Sequence, residues 1–227
     1  MALSKNLSLN KRKEDCRLPS PLVVKKFDIS EIKQHFFDSI KKIEDLTLIY
    51  KKINDESILR AQIVFLDSAF DFFMHEITKF CLSEMFEQNW ERTSQYNNLK
   101  INLNQLHKIL DEENRNEIFL ECINSMYQSV SIISYESIHQ QFKLLGLESM
   151  KIFHKCFPKD NKDKSKKAFN EFFDCLYSKR NCIAHQSSRS HLDATIKSFS
   201  PEFLSEAIAT TKKVVTAIVE EIELKNR

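Results

Sequence analysis

The sequence predicts an all-α protein, and its composition carries most of that prediction. The chain of 227 residues contains one glycine and four prolines, whereas glycine alone averages about 7% of ordinary proteins. Lysine, glutamate, leucine and isoleucine are abundant, and apolar residues recur with the 3.6-residue period of a helix over most of the chain. The length suits one large domain or two small ones. We expect a single helical bundle over residues 27–227.

Residues 1–26 are predicted to form a mobile basic tail. This segment is polar, contains Pro19 and Pro21, and lacks sustained apolar periodicity. Such a segment buries too little apolar area to offset the entropy lost on ordering.

Two long helices follow the tail. Asp28 or Ser30 is expected to cap the first helix, and Asn54-Asp55 marks the turn after it. The second helix is predicted from about Asp55 to Phe86, with apolar residues on most of its sides. A helix with so broad an apolar surface usually lies at the centre of a bundle. At 1.5 Å per residue it would exceed about 40 Å and form the spine of the fold.

The middle third, residues 89–157, has a broken helical pattern, and we expect it to be a helical insertion packed beside the bundle. Gly146 and Pro158 are predicted to end its last two segments. The predicted pieces are a loop over 89–104 with a short turn, helices over 101–110, 116–131 and 134–147, and a helical turn over 148–157.

Residues 168–185 form the stretch on which the functional prediction depends. Phe169, Phe173 and Leu176 share one face of a straight helix, and Arg180 falls within that apolar stripe. A guanidinium stays charged, so burying Arg180 without a partner would be costly. The stripe is therefore expected to meet a partner at Arg180 or to end in a polar cleft. Pro201 is predicted to begin the last helix, which ends near Leu224.

His185 lies five residues after Arg180, and the two side chains diverge by about 140° on an unbroken helix. They converge if the backbone breaks near Ala184, or if two copies of the chain meet across a two-fold axis.

The pattern Arg180-Asn181-x-x-x-His185, after an aromatic-rich helix, resembles the R-N-x-x-x-H motif of HEPN-domain ribonucleases. The segment from Leu59 to Ile77 resembles the second helix of the bacterial RiboL-PSP-type branch of that superfamily, and the similarity spans roughly residues 28–224. Many relatives have glycine after the motif histidine, where this chain has Gln186.

The resemblance implies a metal-independent endoribonuclease, and we predict no cofactor. Because Arg180 and His185 diverge on one helix, we also expect a homodimer with a composite active site. Histidine titrates near neutral pH and serves proton transfer, and a planar guanidinium stabilises charge on phosphate oxygens. We predict that Arg180, His185 and Asn181 are catalytic. The resemblance also suggests a toxin or phage-defence effector, with an antitoxin or defence-system protein as a further partner.

Further residues are predicted to bind the RNA substrate. Lys179 and Arg189 belong to a set of basic residues that bracket the motif helix, an arrangement that suits a nucleic-acid backbone. Asp71 and His75 share a face of the second helix, beside Asp67 and Glu76. In the family that helix packs near the motif helix, so Asp71 and His75 are expected to flank the cleft.

Several function classes are excluded. One glycine is too few for a P-loop or a G-x-G-x-x-G turn. His75-Glu76 begins like H-E-x-x-H, but Lys79 occupies the position of the second histidine. His185, His191 and Cys182 match no known metal site, and we predict none. A net charge of +2 does not by itself indicate nucleic-acid binding.

The expected location is the cytoplasm. The six cysteines are scattered without paired spacing, which is typical of reduced thiols. The sequence shows neither a membrane span nor a signal-peptide pattern.

Two other functions stay open. One is a non-catalytic HEPN-like module that binds RNA, nucleotide or a partner protein, and the other is a structural adaptor whose Arg180 contacts an acidic group of a partner.

Overall fold

The computed structural model describes residues 24–111, 114–127, 129–186 and 198–225, and these residues form nine helices without a strand. The all-α prediction is therefore confirmed. The helices are α1 Ile29–Ile53, α2 Glu56–Phe86, α3 Ser94–Asn97, α4 Leu103–Asp111, α5 Arg115–Tyr127, α6 Tyr135–Leu145, α7 Ser149–Cys156, α8 Lys162–Gln186 and α9 Pro201–Lys225.

Helix ends follow the local capping signals. Asp28 caps α1, because its Oδ1 accepts from the backbone N–H of Glu31 at 2.8 Å. Asn54 ends α1 in the left-handed region at φ 53°, and Asp55 caps α2 immediately afterwards. Gly146 ends α6 in the same region at φ 63°. The turns expected at Asn54-Asp55 and Gly146 are thus present.

Helix α2 is the central element of the bundle. It packs against α1, α5, α6, α8 and α9, and its residues Leu59, Ile63, Leu66, Phe73 and Ile77 are fully buried. The polar side chain of Gln62 is also buried, and its Nε2 donates to the backbone oxygen of Ile43 at 2.6 Å. The breadth of the apolar surface predicted this central position.

The middle third divides into an outer and an inner part. Helices α6 and α7 pack against α8, and α7 also packs against α9. Phe153 on α7 lies 4.4 Å from Phe169 on α8, centroid to centroid, and both rings are fully buried. Residues 135–156 are therefore part of the core rather than an addition beside it. By contrast, the α4 side chains of Leu103 and Leu110 are 71% exposed.

Two lysines of α9 bind backbone oxygens in the inner part of the middle third, residues 135–156. Lys213 Nζ donates to the backbone oxygen of Cys156 at 2.8 Å, and Lys225 Nζ donates to that of Leu145 at 3.1 Å. Both oxygens lie at helix C-termini, where the helix dipole favours a cation.

Two predicted boundaries differ from the structure. Residues 149–156 form a complete short helix, and α8 begins at Lys162, six residues before the apolar segment that marks it in the sequence. The first turns of α8 are largely exposed and rich in lysine, so apolar periodicity does not reveal them.

Most of the predicted tail, residues 1–23, lies outside the described residues. Lys26, near its end, belongs to the folded part, because its Nζ lies 2.7 Å from Glu84 Oε1 and 3.1 Å from Glu87 Oε1 on α2. Within the described part of the chain, no helix has both the length and the apolar character needed to cross a bilayer.

Replacing Phe169 by alanine tests the role of the inner middle third. The ring is fully buried between Phe153 and Phe173, so its loss is expected to lower the free energy of unfolding by about 3–5 kcal/mol. Chemical denaturation would measure the change. Leu103→Ala, at a side chain that is 71% exposed, is the control and should change it by less than about 0.5 kcal/mol. Similar losses of unfolding free energy for both variants would contradict the placement of residues 135–156 in the core.

Candidate functional site

Helix α8 is continuous from Lys162 to Gln186. The backbone break near Ala184 that would let the two motif side chains converge is therefore not present. Arg180 and His185 point about 140° apart around the helix axis, and His185 is exposed. Within one chain, the arginine and the histidine of the motif do not meet.

Arg180 has the partner that its place in the apolar stripe requires. Its Nε lies 3.3 Å from Oδ2 of Asp67 on α2, and the Asp67 side chain is only 3% exposed. Arg180 Nη1 also donates to Asn181 Oδ1 at 2.9 Å. One third of the arginine side chain stays exposed, so the guanidinium is held on one side and open to solvent on another.

The packing of α2 against α8 brings these groups together. Phe70 and Phe173 lie 5.1 Å apart, centroid to centroid, and Asp67 meets Arg180. Increasing residue numbers on α2 thus meet decreasing numbers on α8, so the two helices are antiparallel. Asp67 precedes Phe70 by three residues, which places it one turn along the same side of α2.

Burial raises the pKa of Asp67 to about 7, from an ordinary value of 3.8, because the low-polarity surroundings disfavour the carboxylate. The positive charge of Arg180 works in the opposite direction, and the negative charge of Asp71 adds to the rise. The charge that faces Arg180 therefore changes near neutral pH.

Asp71 and His75, two predicted substrate-binding residues, connect α2 to the segment before α6. Asp71 Oδ1 accepts from the backbone N–H of Ile132 at 2.6 Å. His75 Nε2 lies 2.9 Å from the backbone oxygen of Val130 and 3.7 Å from Asp71 Oδ2. Both side chains are partly exposed, and Asp71 is close enough to Asp67 to affect its pKa.

Lys179 lies on a different side of α8 from Asn181, since two residues turn the helix by about 200°. Its Nζ lies 4.4 Å from the ring centroid of Phe203 on α9 and 5.2 Å from that of Phe199. These cation–π contacts join α8 to the start of α9. The structure thus places Lys179 in an interhelical contact, away from the open side of Arg180. Arg189 and His191 lie outside the described residues.

Two acidic side chains of α2 behave differently from the sequence expectation. Glu76 is buried and forms an ion pair with Lys79 at 2.7 Å, so it does not join Asp71 and His75 in one site. Asp67 was expected only as a neighbour of those residues, yet it is the partner of Arg180. The sequence signal for this pair was an acidic residue, Asp67, beside the apolar face of α2, together with a cationic residue, Arg180, within the apolar stripe of α8.

The described residues contain no group of three or more His, Cys, Asp or Glu side chains placed to hold a metal ion. The polar groups that the structure brings together are Asp67, Asp71, Arg180 and Asn181. They can restrain one guanidinium and present it to an anion.

Comparisons with known proteins give no match among family models, curated proteins or solved structures.

Asp67→Asn tests the environment of the buried carboxyl. Because the folded state holds the Asp67 proton up to pH about 7 and the unfolded state releases it near 3.8, the folded wild type binds more protons between these values. Its free energy of unfolding should therefore fall as pH rises through this window, relative to that of Asp67→Asn. Urea denaturation at pH 4 to 8 would measure the difference.

Asp174→Asn, at an exposed position of α8, is the control for the loss of one carboxyl group. Parallel stability profiles for the wild type and Asp67→Asn would show that Asp67 does not titrate in this range.

Proposed function

We propose that this protein is a metal-independent endoribonuclease of the HEPN type, which acts as a homodimer with composite active sites. The observation that carries the proposal is the placement of Arg180, restrained by a buried carboxyl of a neighbouring helix and still partly exposed. The motif resemblance suggests RNA cleavage as the reaction, and the placement of the Arg180 guanidinium suits that reaction.

The contacts of Arg180 suit phosphate binding. A guanidinium held before the substrate arrives needs little reorganisation when charge develops on the phosphate oxygens. Asp67 lies at ion-pair distance from the Nε edge, where Nε makes no hydrogen bond, and Asn181 accepts from Nη1. Because the pKa of Asp67 is about 7, the positive charge of Arg180 is only partly offset at neutral pH.

His185 would supply proton transfer. Its exposed position near the end of α8 leaves the ring accessible to a second molecule. A two-fold axis near the side of α8 between Arg180 and His185 would bring the histidine of one copy to the arginine of the other. The continuous helix makes such an arrangement necessary if the two side chains act on one phosphate.

The proposed reaction uses the nucleophile of RNA itself. The 2′-oxygen loses its proton to a base and bonds to the adjacent phosphorus, while the bond from phosphorus to the 5′-oxygen breaks. The 5′-oxygen takes up a proton, and the products are a 2′,3′-cyclic phosphate and a 5′-hydroxyl. Histidine is suited to move these protons near neutral pH, and Arg180 to stabilise the phosphate charge.

The biological setting is proposed from the motif resemblance alone. A toxin or phage-defence effector in the cytoplasm, controlled by an antitoxin or another defence-system protein, would fit a nuclease of this kind.

A second candidate function is a non-catalytic HEPN-like module that binds RNA, nucleotide or a partner protein. Its specific support is that one chain does not assemble the arginine and the histidine at one place, because α8 is unbroken.

Cleavage of labelled RNA in EDTA would test the nuclease. The wild type should produce cyclic-phosphate ends, and Arg180→Ala and His185→Ala should each reduce the rate by about 10²- to 10⁴-fold. Arg115→Ala and His107→Ala, at exposed positions on other helices, are the matched controls and should retain activity. An inert, folded and dimeric wild type would favour the binding module, and equal activity of all variants would place the reaction elsewhere.

Mixing the two inactive variants tests the composite site. A dimer of one Arg180→Ala copy and one His185→Ala copy contains one site with both native side chains and one site with neither. After dissociation and reassociation, half of the dimers are mixed, so the sample should regain about one quarter of the wild-type rate. Lack of any recovery, with mixed dimers verified by mass spectrometry, would contradict a shared site.

A further inference from the structure

Aromatic side chains are mostly buried in this protein, and one exposed ring lies beside the Arg180 pair. Among the described residues, three aromatic side chains are exposed: Phe65 at 51%, Phe72 at 46% and Tyr177 at 37%. Phe65 and Phe72 lie on α2, whereas Tyr177 lies on α8 together with Arg180. Within the described part of the chain, Tyr177 makes no hydrogen bond and no ring contact.

Tyr177 shares the open side of α8 with Asn181. The two residues are four apart, so their side chains lie on the same side, one helical turn from each other. Arg180 lies between their direction and the core, where it meets Asp67.

The charges near Tyr177 fix the direction in which a nucleotide would lie. Asp67 faces Arg180, and Asp71 accepts from the backbone N–H of Ile132. Both carboxyls therefore have partners other than Tyr177. Asp174, one turn before Tyr177, is exposed and would repel a phosphate on that side. A phosphate is therefore favoured on the Arg180 side of Tyr177, and an uncharged base on the ring.

We propose that Tyr177 is a stacking platform for one base of single-stranded RNA, next to the phosphate that Arg180 binds. This inference rests on the proposed function, and it adds a substrate class to it. A base can stack on a side chain only after it leaves its neighbours in a duplex, so the site selects unpaired RNA. Stacking tolerates every base because each has a flat π face, so the subsite requires no particular sequence.

Binding of an uncleavable RNA tests the subsite separately from catalysis. The ligand is a fluorescent single-stranded oligonucleotide whose 2′-hydroxyls are methylated, so that the attacking oxygen is blocked, and anisotropy at fixed salt gives Kd. Base stacking contributes about 1–3 kcal/mol, so Tyr177→Ala should weaken binding roughly 5- to 150-fold. Tyr177→Phe keeps the flat ring and should bind within about twofold of the wild type.

Two controls separate stacking from general damage. Phe65→Ala removes a more exposed aromatic ring from α2 and should leave Kd unchanged. A duplex of the same sequence should bind Tyr177→Ala and the wild type equally. The inference is overturned if the wild type does not bind the single strand, if Tyr177→Ala binds it as the wild type does, if Tyr177→Phe is as weak as Tyr177→Ala, or if duplex binding falls equally.

The two proposals fail in distinguishable ways. Cleavage that depends on Arg180 and His185, with normal binding by Tyr177→Ala, removes only the stacking subsite. Binding that depends on Tyr177 in a protein that does not cleave RNA supports the subsite and removes the nuclease.

Discussion

The contact between Asp67 and Arg180 is the interaction on which the candidate site depends. Burying the charge of either group alone would cost free energy, because Asp67 is buried and Arg180 lies in the apolar stripe that packs α8 onto α2. Together they form a pair across two helices of the core. The same contact also holds Arg180 at a defined position, so one interaction serves both packing and the proposed chemistry.

The pair is not a simple fixed salt bridge. Burial raises the pKa of Asp67 to about 7 against the effect of Arg180, which means that desolvation of the carboxylate outweighs the attraction of the arginine. Buried ion pairs often have this balance. A carboxyl that titrates near neutral pH leaves part of the charge of Arg180 uncancelled, and the proposed binding of phosphate would use that charge.

The continuity of α8 assigns its neighbouring residues to different tasks. Arg180 faces α2, Lys179 contacts Phe199 and Phe203 near the start of α9, and Asn181 lies on the open side. His185 is exposed further around the helix. Adjacent positions of α8 in and next to the motif therefore serve the core, an interhelical contact and the solvent, because each residue turns the helix by about 100°. A shared site for Arg180 and His185 thus requires a second molecule.

The sequence by itself determined the helical class, the helix ends at Asn54 and Gly146, the central place of α2 and the need of Arg180 for a partner. These features depend on local chemistry: capping, left-handed backbone at a helix end, apolar periodicity and the cost of burying a charge. The helical period also predicts that the side chains of Arg180 and His185 diverge on an unbroken helix, and α8 is unbroken.

Only the tertiary structure decided that Asp67 is that partner, that Lys179 packs on Phe203, and that residues 135–156 complete the core. Helical period fixes the faces of each helix, but it does not specify which other helix covers a face. That choice depends on how all the buried side chains fit together in three dimensions.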